Sequence, residues 1–69
     1  MSRVNVYYFG VYGETGIDGA AMAAGANVVS TVDRCNSDGT GVACIDAEDV
    51  IALTDILDDT GGVDRYDVR

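Results

Sequence analysis

The segment Arg3-Val-Asn-Val-Tyr-Tyr-Phe-Gly-Val-Tyr12 constrains the fold of this chain more than any other. It is rich in β-branched and aromatic residues, and from Tyr7 onward it is apolar on both alternating faces. A strand with two apolar faces belongs in the middle of a sheet, buried on both sides. The chain has 69 residues, so flanking strands and covering elements must come from within one small domain spanning residues 1–69.

The remaining segments supply them. Gly13-Glu-Thr-Gly16 is expected to break the first strand. Ile17 to Ala26 is Ala-rich and predicts a short helix, although Gly19 and Gly25 each weaken it by up to about 1 kcal/mol. Asn27 to Cys35 predicts a second strand with Val28, Val29 and Val32 as its apolar members. Ser37-Asp-Gly-Thr-Gly41 reads as a hairpin turn, and Val42 to Ile45 as the return strand. Asp46 is then a good N-cap, with Asp49 three residues on in capping-box position. Val50, Leu53, Ile56 and Leu57 form one apolar arc of the helix that follows, with Glu48, Asp55 and Asp59 opposite. Gly61-Gly62 stops it, and Val63 to Val68 makes a charged edge strand.

The order β-α-β-β-α-β resembles the split βαβ pattern. It implies an α+β, ferredoxin-like βαββαβ sandwich: one four-stranded antiparallel sheet with two helices on one face and the first and third strands central. If residues 17–26 are extended instead, the chain becomes a mostly β domain with one C-terminal helix at about 46–60.

Charge limits the chemistry. Twelve acids, ten of them Asp, stand against four Arg, with no Lys and no His, for a formal charge of −8. Without His there is no imidazole dyad and no His-ligated zinc, and without Lys there is no Schiff base and no P-loop lysine. The long-range field has the wrong sign for nucleic acid or an anionic membrane. No run of about 18 apolar residues is present to span a bilayer. The first residues lack the pattern of a signal peptide. Hydrophobic content of 48% nevertheless predicts a folded chain. Asp-rich, Lys-free composition resembles that of proteins from salt-in halophiles and their viruses. At molar salt the screening length is about 3 Å, so self-repulsion nearly vanishes there.

Cys35 and Cys44 flank the expected hairpin. With Gly39-Thr40 as a two-residue II′ loop they face each other at a non-hydrogen-bonded pair, close enough for a disulfide. With Asp38-Gly39 as a I′ loop, Cys35 faces Val42 and no bridge forms. A bridge would imply an oxidising location.

Three further motifs are weaker. Gly13, Glu14, Thr15 and Gly16 follow a strand like a ligand-binding loop, but the Walker spacing and its Lys are missing. Asp33, Asn36 and Asp38 precede Gly39 as oxygen donors for a metal. Ile45 to Leu53 is similar to the end of a dockerin-type calcium loop and its helix. Anchored on Gly39, however, position 1 of the loop is Arg34 and position 12 is Ile45, so no register supplies a full ligand set. Tyr7, Tyr8 and Tyr12 could line a stacking surface, but without basic surroundings they suit core or interface packing better.

These features predict a non-catalytic structural or interaction subunit of a larger assembly in a halophilic organism or its virus, such as a virion component. Its expected partners are proteins, in a homo-oligomer or larger complex, with hydrated cations adsorbed weakly on the acidic surface. No nucleic acid, membrane span or cofactor is expected. The site of action would be a virion or a high-salt cytoplasm, or extracellular if the disulfide forms. The alternative is a small ferredoxin-like ligand- or cation-sensing regulatory module, with Gly13 to Gly16 as its site.

Overall fold

A computed structural model describes residues 2–69. Its elements are β1 (Ser2–Tyr8), α1 (Gly10–Ala23), β2 (Asn27–Val32), β3 (Gly41–Ala47), α2 (Val50–Asp58) and β4 (Val63–Val68). The strands form one antiparallel sheet in the order β2-β3-β1-β4, so the first and third strands are central and the second and fourth are edges. This is the ferredoxin-like α+β arrangement, and the mostly β alternative falls because residues 10–23 are helical.

Alternation builds the core. Val4, Val6 and Tyr8 of β1 and Ala43, Ile45 and Ala47 of β3 point to one side of the sheet and are buried. Against them pack Ile17, Ala20 and Ala21 of α1 and Leu53 and Leu57 of α2. The other face of the sheet is uncovered, so β1 is central but not buried on both sides. Its in-register residues form transverse rows: Val32, Val42, Tyr7 and Arg65 in one, Ser30, Cys44, Asn5 and Asp67 in the next. The Arg65 guanidinium lies 4.1 Å from the centre of the Tyr7 ring. In the neighbouring row the Cys44 thiol donates to Asn5 Oδ1 at 3.1 Å.

The first helix begins earlier than composition suggests. Phe9 is still extended and serves as N-cap, and Gly10 at φ +60° makes the sharp change of direction. The apolar run beyond Tyr8 therefore turns into α1 instead of prolonging the strand. Gly13-Glu-Thr-Gly16 does not break the chain; it is the second turn of this helix. Gly25 does not lie within α1 either. At φ +67° it ends the helix, with Ala26 N–H donating to Ala21 O at 2.8 Å and Gly25 N–H to Met22 O at 3.2 Å.

The boundary of α2 shifts the opposite way, later in the chain, and lengthens β3. Asp46 does not cap the helix: it stays in β3 opposite Arg3, whose Nε donates to Asp46 Oδ1 at 2.9 Å. Asp49 is the N-cap and accepts from Ala52 N–H at 3.0 Å. The acids at the far end of α2 are partly answered by a neighbour, since the Tyr66 hydroxyl donates to Asp58 Oδ1 at 2.7 Å.

Glycine sets the depth at which α1 seats. A Cβ on Gly13 would lie 2.7 Å from the Gly62 carbonyl oxygen, and one on Gly16 would lie 2.6 Å from Thr60 Cγ2. The helix thus packs backbone to backbone on the turn between α2 and β4, and Phe9 N–H reaches Gly62 O at 2.8 Å. Gly19, in contrast, faces open space. Gly13→Ala should cost about 1–3 kcal/mol by overpacking, whereas Gly19→Ala should gain up to about 1 kcal/mol from helix propensity. Urea denaturation of the two variants in molar KCl checks both signs.

Candidate functional site

At the C-terminal end of β1 a cleft of about 200 Å³ opens between the start of α1 and the β2–β3 connection. Tyr8, Gly10, Val11, Asp33 and Arg34 line it. Tyr8 is there because its ring must cover Gly41, its cross-strand partner: a Cβ on Gly41 would sit 2.8 Å from Tyr8 Cζ. The ring is buried, and its hydroxyl emerges to donate to Asp33 Oδ1. Burial and the Asp33 carboxylate both push the Tyr8 phenol well above its ordinary pKa. At neutral pH it is therefore a donor and no base.

Arg34 reaches the cleft from a backbone at φ +50°, a left-handed conformation unusual for a residue with a side chain. The start of α1 has no side-chain cap and no acid in its first turn. Phenol, carboxylate and guanidinium thus meet in a space below the roughly 300–1,000 Å³ of typical small-molecule pockets.

The sequence-predicted sites fare differently. Gly13, Glu14, Thr15 and Gly16 form no loop, and the Cα surfaces of both glycines are filled by Thr60 and the Gly61-Gly62 backbone. The β2–β3 connection is longer than a two-residue hairpin, since Val32 and Val42 are its last pair. Asp38 holds it together: Oδ1 accepts from Thr40 N–H at 3.0 Å and from Thr40 Oγ1 at 2.6 Å, while Asn36 Nδ2 donates to Thr40 Oγ1 at 2.9 Å. Thr40 is fully buried, so this polar knot is internal to the chain.

Asp33, Asn36 and Asp38 are accordingly held by Tyr8, Thr40 and Arg65. Among the described residues no group of three or more Asp, Glu, Cys or His converges as a metal shell. The Thr40 bonds, helped by Arg65, hold the Asp38 carboxyl below the usual range, and Arg3 does the same for Asp46.

Cys44 faces Ser30, not Cys35, and Cys35 lies exposed beyond the end of the ladder. The register that would have paired them requires a tight turn that Asp38 and Thr40 replace. Both thiols are free.

Among the described residues no helix is long and apolar enough to cross a membrane. No protein-family model matches the chain, and no curated protein matches it in sequence.

The feature least visible in the sequence is the cleft itself, because Tyr8 and Asp33 are 25 residues apart and meet only through the Gly41 register. Tyr8→Phe should lose about 1 kcal/mol through the missing Asp33 bond. The folded phenol binds its proton more tightly than the unfolded one. Its contribution is therefore complete below about pH 10 and lost as pH rises through the folded value, a loss Tyr8→Phe should reduce in pH-dependent denaturation. Iodoacetamide without reductant should modify both cysteines, Cys35 first, and a mass spectrum of the product reads the order.

Proposed function

We propose that this chain is a non-catalytic structural and interaction subunit of a larger assembly working in concentrated salt, in a halophilic organism or its virus. The observation that carries the reading is apolar surface where an Asp-rich protein in water can least use it. Val11, Tyr12, Met22 and Ile51 each leave about three-quarters or more of their surface exposed, at 79%, 76%, 81% and 74%. Phe9 and Val32 add to this, each about half exposed. Small domains commonly supplement limited burial by association.

The solvent half of the proposal rests on charge. None of the twelve carboxylates is buried. Among the described residues, ion pairs engage only Asp38, Asp46 and Asp64, through Arg65 and Arg3. Exposed pairs of this kind contribute little. Screening by the medium is then the main relief from repulsion, and the same medium strengthens apolar contact.

The ligand-sensing alternative has lost the loop on which it depended, because Gly13 to Gly16 are helical. Light scattering in molar KCl should give a mass that is a multiple of the single chain. A concentration-independent monomer under those conditions contradicts the subunit reading.

A further inference from the structure

One element differs from all the others. β2, Asn27–Val32, is the only one of the six with no ionisable residue, in a chain where 23% of residues are charged. It is also an edge, so along its outer side the backbone N–H and C=O groups not taken up by β3 face solvent. Soluble proteins usually blunt such an edge with charge, proline or a covering segment. β2 carries neither charge nor proline, and all its residues but Val28 are exposed. The opposite edge has that protection: β4 carries Asp64, Arg65 and Asp67. The blunting β2 does show is a register irregularity between Val28 and Ser30, which turns out Val29 and leaves Ser30 to Val32 regularly paired with β3.

We infer that β2 is a self-pairing edge, through which two copies of this chain join antiparallel into one continuous sheet. The inference rests on the subunit reading above and names its first partner. Charge selects the second copy. Two molecules of charge −8 repel over most of their surfaces, and they approach at least cost along the strand that carries none. Antiparallel pairing also sets the Asp33 end of one strand beside the Asn27 end of the other, so the two Asp33 carboxylates are kept apart.

A strand paired with its own copy makes a closed two-fold contact. Pairing β2 with the β4 edge of the next molecule would instead bring in Asp64 and Asp67 and propagate without closing. Edge pairing over six residues is a small contact beside the roughly 1,200–2,000 Å² of stable complexes. The dimer should therefore form in molar salt and dissociate in dilute buffer, where screening reaches only over longer distances.

Sedimentation velocity over a range of protein concentrations in molar KCl tests this, with circular dichroism at the same salt to confirm folding. The wild type should dimerise. Val29→Lys and Ser30→Lys should each raise the dissociation constant about tenfold or more, and Val68→Lys on the other edge should leave it unchanged. Amide exchange of the wild type supplies the same answer without a variant, as protection across Val29 to Val32 should rise with protein concentration. An oligomer insensitive to both β2 substitutions, with β2 exchange independent of concentration, overturns the edge and leaves the subunit reading standing. A wild-type monomer at every concentration overturns both. Open-ended growth overturns the closed pairing.

Discussion

Surplus negative charge is the constraint to which the rest of this structure answers. The core is made of small side chains, largely Val, Ala, Ile and Leu, with Tyr8 the only buried aromatic ring among the described residues. Burial of that kind stabilises a short chain modestly, and a charge of −8 works against it. The fold spreads the carboxylates over every element but β1 and β2 and spends its few arginines sparingly. Arg3 ties β1 to β3 through Asp46, and Arg65 covers Tyr7 on the open face while reaching Asp38 and Asp64. Neither arginine anchors the core. They bind the sheet across its exposed side, where no helix does.

With few large side chains available, close backbone approach takes over part of the packing. Gly13 against Gly62, Gly16 against Thr60 and Gly41 beneath the Tyr8 ring are contacts in which a Cβ would not fit. Each lies between elements distant in sequence, so each fixes a tertiary relation. The last also determines the cleft, because seating Tyr8 over Gly41 carries its hydroxyl out to Asp33. Packing and the cleft thus share a cause.

This pattern also explains what the sequence reveals and what it conceals. The strand order and the charged β4 edge are legible because β-branched alternation and the Asp-Arg-Tyr-Asp run report burial directly. The start of α1 is concealed, because Gly13 is a core residue of that helix and no apolarity scale registers a glycine as core. The aromatic run from Tyr7 to Tyr12 reads as strand, since nothing local distinguishes Gly10 as a corner from Gly10 as a weak strand residue. The cap of α2 is misplaced by a cross-strand interaction, Arg3 with Asp46, that no local window contains. The thiol pair fails for a related reason. Asp38 and Thr40 form a longer polar connection, and that length displaces Cys35 from Cys44. Local chemistry fixes the kind of element, while contacts across the sheet fix its ends and the cleft.

The central claim is that charge repulsion, relieved by salt, governs whether this small core holds. Urea is uncharged and leaves ionic strength free to vary, so the urea midpoint of unfolding against KCl concentration addresses the claim directly. The account predicts a midpoint that climbs from dilute buffer to molar KCl. A midpoint that stays level or falls over that range would contradict it.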